Sequence, residues 1–299
     1  MGLRKWKLAT APTTFIVSSL DFAEQLLDWN GDLNVPLFSS CMTDETSSTY
    51  GVRIPIPVTD TNTVPEPKET VELMQEWTRK KSQIVFRGSI SSIDRLRLLS
   101  KASGLHGTVG RFLNFSLTGV PDGAPCENDR KTWCPAAPSE WLKKSQNYLG
   151  GVSDQMSLRD QVNQFKYILS VDGVGCAYRL RNLLCSSSVV VKQESPYKEF
   201  WYDDIGHEVE IMTTARNFEG LESTVSLLSN TSAKQHISRI SNSNAYCKSR
   251  LSEEAVSLYL VTLIKAYGLQ TSCETCDLPQ GAVPWRKWFH SHKQGTKTL

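Results

Sequence analysis

The sequence predicts an α/β protein built on a parallel sheet, and three features point that way. Apolar runs of strand length, at 83–86, 166–171 and 189–191, alternate with stretches of helical periodicity. Between the second and third runs, Asp172-Gly173-Val174-Gly175 makes a turn that leaves a strand and opens a helix, the order of a parallel strand–helix–strand unit. Past residue 218 the pattern is helical, and it closes on a helix with Val256, Leu260, Leu263, Ile264 and Tyr267 along one face.

The elements follow in chain order. Residues 14–19 are a strand candidate, followed by a helix over 21–29 that aligns Phe22, Leu26 and Trp29 and stops at Asn30-Gly31-Asp32. Residues 35–38 read as a second short strand. From 41 to 67 the chain is rich in Thr, Ser and Pro, including Pro55-Ile56-Pro57, so loop or edge structure is expected. A helix over 69–81 carries Val71, Met74 and Trp77 at helical spacing, and its basic end suits a helix C-terminus. Strand 83–86 runs into Arg87-Gly88-Ser89, after which Ser92 is placed to cap a helix bearing Ile93, Leu96 and Leu99. A strand over 112–117, a long exposed loop over 119–136 and helices over 138–149 and 157–165 precede the strand–turn–helix–strand unit. The helix of that unit is expected over 177–185.

Composition narrows the classes. A chain of 299 residues is about two domains long at roughly 100–200 residues each, and 39% hydrophobic against 21% charged residues is enough for a core. The 33 basic and 31 acidic side chains leave a net charge of +2, without the basic excess of a protein whose partner is nucleic acid. No apolar run reaches the roughly 18 residues of a membrane-spanning helix. The amino terminus has a basic start, but Pro12 and the Thr pairs interrupt its apolar stretch, so no signal peptide is visible. The eight cysteines are too dilute for a disulfide scaffold, and the sequons at Asn114 and Asn230 are usable only in the secretory route. The compartment stays open on these grounds.

Function is legible mainly in 166–205. A Gly turn that leaves a strand lets backbone approach a ligand, and the first turn of the next helix presents N–H groups to an anion. Arg179 stands in that turn and can add a charge-assisted contact to a phosphate. Gly173 and Gly175 alone do not make a dinucleotide fingerprint, since a third glycine and a ribose-binding acid are missing.

The wider stretch carries Lys166-Tyr167, Asp172-Gly173, Tyr178-Arg179-Leu180, Leu183-Leu184, Ser188-Val189-Val190, Lys192-Gln193-Glu194-Ser195 and Glu199-Phe200-Trp201-Tyr202. In these residues it resembles the core of the family 90 glycosyltransferases, the Rumi-type protein O-glucosyltransferases and capsule-associated xylosyltransferases. A second block upstream holds Phe86-Arg87-Gly88-Ser89 and Asp94-Arg95, and weaker similarity extends over about 15–270. It implies a GT-B fold of two Rossmann-like halves, here with a shortened N-terminal half over 1–78, a donor-binding half with a C-terminal helical closure over 79–270, and a basic tail over 271–299. It implies inverting transfer of glucose or xylose from a UDP-sugar to a hydroxyl of a protein Ser/Thr or a glycan. Neither a metal nor another cofactor is expected, and the implied compartment is the lumen of the endoplasmic reticulum or Golgi. A chain complete as written would instead be cytoplasmic.

By the same resemblance Ser89 and Arg95 fall on donor-contacting positions. Val174, Gly175, Cys176, Ala177, Tyr178 and Arg179 fall on the loop and helix start that hold the UDP diphosphate. A metal-free transferase must offset the charge of a departing diphosphate with arginines and backbone N–H groups, which singles out Arg95 and Arg179. The family's catalytic base is an Asp in a short Asp-Ile-x-x-Pro type motif. Here Arg53 occupies that place, in Arg53-Ile54-Pro55, and arginine cannot act as a base. Asp44 and Asp60 are the nearby carboxylates. The alternative reading is therefore a member that binds the nucleotide-sugar without transferring it.

Other residues carry paired readings. Arg87 contacts a ligand or pairs locally, while Asp172 orients the Gly turn through an Asx hydrogen bond. Tyr197, Phe200, Trp201 and Tyr202 stack on a ligand or fill a core, and Lys192 and Glu194 leave a strand end where α/β proteins bind ligands. Cys273-Glu-Thr-Cys276 reads as a local disulfide or free thiols rather than half a zinc site. His106, His207 and His236 read as surface or packing residues.

Overall fold

The computed structural model describes residues 16–17, 37–39, 41–43, 53–55, 70–89, 92–118, 155–173, 175–206 and 209–270. The expected helices at 21–29 and 138–149, the loop at 119–136, the tail with its Cys273–Cys276 pair, and Asp44, Asp60, Val174 and His207 lie outside these residues. The architecture is α/β, with two parallel sheets. The smaller sheet has the order β1 (Ile16–Val17), β2 (Leu37–Ser39), β4 (Arg53–Pro55), all parallel. Arg53 is thus on an edge strand, where its backbone lies opposite Leu37.

The larger sheet is five-stranded, in the order β10 (Met212–Thr214), β8 (Val189–Gln193), β7 (Phe165–Ser170), β5 (Lys81–Gly88), β6 (Leu113–Leu117), and every pair is parallel. Its central strands read as continuous apolar runs because both faces are covered. Ile84, Phe86, Tyr167, Leu169, Val189 and Val191 face a layer of helices α1 (Thr70–Arg79), α2 (Ile93–Ser103), α6 (Leu221–Asn230) and α7 (Ala233–Tyr246). Val85, Ile168 and Val190 face the opposite layer, where Leu180, Leu183 and Leu184 of α5 (Arg179–Leu184) meet Trp201, Tyr202 and Ile205. The short helices α3 (Gly107–Phe112) and α4 (Leu158–Gln164) lead directly into β6 and β7.

Several expectations shift. In α1 the buried face is Leu73 and Trp77, at 1% and 3% exposed, whereas Val71 and Met74 are 69% and 49% exposed. Both sets fit a helical period, and the contact of Trp77 with Tyr167 and His236 selects between them. Ser92 begins α2 but does not cap it; its hydroxyl donates to the Asp172 carbonyl oxygen at 3.1 Å. The closing helix, α8 (Glu253–Gln270), has Val256, Leu260, Leu263 and Ile264 only half-buried, and Leu258 exposed. Trp201 and Tyr202 fill the core, as does His236, whose Nε2 lies 3.0 Å from the Leu228 carbonyl and 3.2 Å from the Tyr167 hydroxyl.

The four described cysteines form two disulfides, Cys41–Cys176 and Cys185–Cys247. The second joins the end of α5 to the turn that follows α7, inside the core behind the sheet. Replacing both Cys185 and Cys247 by Ala removes that cross-link from the unfolded chain. It should lower unfolding stability by about 2–4 kcal/mol in denaturant titration.

Candidate functional site

The site sits where the strands of the large sheet end, the edge at which parallel α/β sheets present ligands to loops. β5 ends at Gly88, β7 at Ser170, β8 at Gln193 and β10 at Thr214. Gly88 sits in a crowded place: a Cβ there would lie 3.0 Å from the Phe86 ring and 3.1 Å from an Arg95 guanidinium nitrogen, so both would have to shift by a few tenths of an ångström.

Arg95, in the first turn of α2, spans two of these loops. Its Nε donates to the Asp172 carbonyl at 3.0 Å, one terminal nitrogen to the Ser89 carbonyl at 2.8 Å, and the other to the Val171 carbonyl at 3.3 Å. Ser89 and Arg95 therefore meet. Arg179 reaches the same place from α5: one terminal nitrogen donates to the Arg87 carbonyl at 2.6 Å. Its Nε and other terminal nitrogen are enclosed and have no partner among the described residues. Both guanidiniums lie against the Phe86 ring, Arg179 at 5.0 Å and Arg95 at 5.7 Å from its centroid.

The electrostatics follow from that crowding. Burial lowers Arg95 to about 10, against the pull of Asp172. Burial and then repulsion from Arg95 lower Arg179 to about 9, with Asp172 opposing. Enclosed N–H groups without an acceptor, beside a second cation, are costly until an anion supplies oxygens. Asp172 does not fill that role. Its Oδ1 accepts from the Ala177 N–H at 3.2 Å, which is the Asx-type bond expected of it, and Ser195 also bonds its carboxylate. Burial raises its pKa, while Ser195, Lys192, Ala177 and Arg95 oppose the rise.

A family model for glycosyl transferase family 90 matches residues 33–282. The chain belongs to that family. Among solved structures, it is similar to the C-terminal domain of a glycosyl transferase group 1 family protein (LpcC) from Francisella tularensis, at 10% identity and a TM-score of 0.36, over 66% of this chain and 100% of that one. WaaG, a glycosyltransferase involved in lipopolysaccharide biosynthesis, is similar at 13% identity and a TM-score of 0.44, over 88% and 79% of the two chains. The trehalose-6-phosphate phosphatase N-terminal domain of Candida albicans matches at 11% identity and a TM-score of 0.44, over 73% and 50%. Likeness at this level identifies no substrate, and membership rests on the family match.

In this family 90 chain the loop before Arg179 differs in detail from a simple anion-binding helix start. α5 has only six residues, and the N–H groups of Ala177, Tyr178 and Leu180 already meet Asp172 Oδ1 and the Cys176 and Ala177 carbonyls. Capacity for an anion is concentrated in the guanidiniums. Gly175, Cys176 and Ala177 are buried and Tyr178 half-buried, and the Cys176 sulfur is bonded to Cys41. Among the described residues Arg87 makes no ion pair; it donates to the Phe86 and Asn114 carbonyls and to Asn114 Oδ1. Asp94, beside Arg95, pairs with Arg97 at 2.9 Å and Arg216 at 3.7 Å, tying α2 to the loop after β10. Among the described residues no three His, Cys, Asp or Glu side chains converge to hold a metal.

Beneath the site lies a group that residue-by-residue reading of the sequence did not single out. Glu199 is buried, accepting from Trp201 Nε1 at 3.2 Å and from the Tyr202 hydroxyl at 3.1 Å. Lys192 donates to the Gln193 carbonyl at 3.1 Å and lies 4.9 Å from the Tyr202 ring centroid. Burial pushes Glu199 up to about 7, against the two hydrogen bonds. The folded state therefore binds this proton more tightly than the unfolded chain, whose Glu titrates near 4.5. Stability from this group falls as pH rises from that value through about 7 and stays reduced above it. Replacing Glu199 by Gln should flatten the pH dependence of unfolding stability across that interval and raise the melting temperature relative to wild type on its alkaline side.

Proposed function

We propose that the chain transfers a sugar from a UDP-sugar to a hydroxyl of a protein Ser/Thr or a glycan, with inversion and without a metal. Glucose is the first donor sugar and xylose the second. The observation that carries the reading is the Arg95–Arg179 pair on Phe86, with two enclosed nitrogens of Arg179 lacking an acceptor among the described residues. A diphosphate supplies oxygens in the geometry a guanidinium prefers, and it gains charge as the sugar–oxygen bond breaks. Cations already in place then stabilise the transition state more than the ground state. Arg95 holds the Ser89 and Val171–Asp172 backbones around that charge, and Arg179 provides the free donors. Two disulfides among the described cysteines favour an oxidising compartment, in keeping with a lumenal enzyme.

A second reading is carried by residue 53. With Arg53 on the edge strand β4 at the position of the family's Asp, the acceptor proton has no base there, and the chain would bind the nucleotide-sugar without transferring it. Asp44 and Asp60 are the carboxylates that would rescue transfer.

Calorimetric titration with UDP and UDP-glucose tests the donor site. Binding is expected in metal-free buffer, and at about 100 times Kd it should stabilise the fold by about 2.7 kcal/mol. Arg179→Ala should abolish it, and Arg179→Lys should not restore it, because a point charge replaces a fork of donors. Failure of the intact protein to bind either ligand would overturn the reading. If UDP binds and transfer is absent, Arg53→Asp should restore measurable sugar transfer under the binding-only reading.

A further inference from the structure

We propose that the Cys41–Cys176 disulfide, with the strand that follows Cys41, is a positioning strap that holds the donor loop and so aims Arg179. The proposal rests on the reading of Arg95 and Arg179 as the diphosphate site.

The loop between β7 and α5 has little of its own to fix it. Its backbone bonds among the described residues are Gly173 N–H to the Gly175 carbonyl at 3.2 Å, Tyr178 N–H to the Cys176 carbonyl at 3.0 Å and Leu180 N–H to the Ala177 carbonyl at 2.7 Å, none spanning more than three residues. No side chain caps α5 at Tyr178. One anchor is Asp172, which holds the Ala177 N–H. The other is Cys176, buried, bonded to Cys41 across a sequence separation of 135 and donating its own N–H to the Cys41 sulfur at 2.9 Å. Arg179 follows three residues later, and among the described residues one hydrogen bond holds its guanidinium.

Cys41 brings a second contact. It lies between β2 of the small sheet and β3 (Met42–Thr43), and β3 pairs antiparallel with β9 (Tyr197–Lys198), Met42 opposite Lys198 and Thr43 opposite Tyr197. β9 follows Ser195, which bonds the Asp172 carboxylate, and precedes Glu199. Residues 41–43 therefore reach from the small sheet to both loops that surround Asp172, covalently at Cys176 and by backbone pairing at β9. Opening the bond releases the middle of the donor loop while its ends stay attached to β7 and α5. Chemically this needs a dithiol: one thiolate attacks a sulfur of the pair, the second thiol displaces it, and two protein thiols form as the dithiol becomes a disulfide.

The test compares wild type with the double variant Cys41→Ala/Cys176→Ala, with Cys185→Ala/Cys247→Ala as the control that loses the disulfide at the far end of α5. Amide hydrogen exchange over 173–178, the loop itself, should speed up by about tenfold or more in the first variant and stay unchanged in the control. UDP affinity should weaken by about tenfold or more in the first and stay within about twofold in the control. If the first variant does not fold, native wild type treated with dithiothreitol replaces it, with mass spectrometry of trapped thiols showing which pair has opened. Exchange over 173–178 unchanged by loss of the Cys41–Cys176 bond overturns the strap. So does an equal weakening of UDP binding in both variants. Exchange that speeds up while wild type fails to bind UDP upholds the strap and overturns the donor reading.

Discussion

Two guanidiniums packed on one phenyl ring, with two nitrogens of Arg179 lacking an acceptor among the described residues, are the constraint around which this structure is arranged. A side chain at Gly88 would crowd the Phe86 ring and Arg95. The Ser89, Val171 and Asp172 carbonyls turn inward because Arg95 consumes all three. Like charges this close are unfavourable when buried, and under the proposed reading an anion offsets them. Asp172 sits close enough to moderate the charge, while its hydrogen bonds to Ala177 and Ser195 give it a separate role in shaping the loop.

The rest of the large sheet makes that arrangement stiff. Strands buried on both faces hold their C-terminal ends in fixed register, Ser170 opposite Lys192 and Arg87 opposite Ser116. Gln193 then ties neighbouring loops, accepting from the Asp172 N–H and donating to the Arg216 carbonyl. The loops themselves carry few internal bonds, so their order is borrowed from these side chains and from Cys41. Rigid strands below and side-chain-fixed loops above are a common division of labour in α/β sites, where precision comes from the scaffold and chemistry from the loops.

Much of this was readable in the sequence. Runs at 166–171 and 189–191 are apolar on both faces and could only be buried strands, and β7 and β8 lie there. Ser89, Arg95 and Arg179 were drawn to one site by resemblance, and the fold brings them within reach of one another. Illegible features all depended on distant partners. The helix at 70–79 offered two apolar faces, and only its packing against Tyr167 and His236 chose Leu73 and Trp77. Ser92 looked like a cap until the Asp172 carbonyl competed for its hydroxyl. Cys41 and Cys176 are separated by 135 residues, and no local pattern encodes their pairing. Glu199 stands in an ordinary aromatic run, and its raised pKa comes from burial first and then from the charge of Asp172, 27 residues away in sequence and brought near by folding.

The central claim is that the arginine pair is a metal-independent receptor for a diphosphate. Titration of the protein with inorganic diphosphate and with uridine, each in the presence of a chelator, tests it most directly. Diphosphate should bind, displace UDP and lose affinity steeply with added salt, while uridine binds far more weakly. Diphosphate that fails to bind without a divalent cation, or uridine that binds as well as UDP, would contradict it.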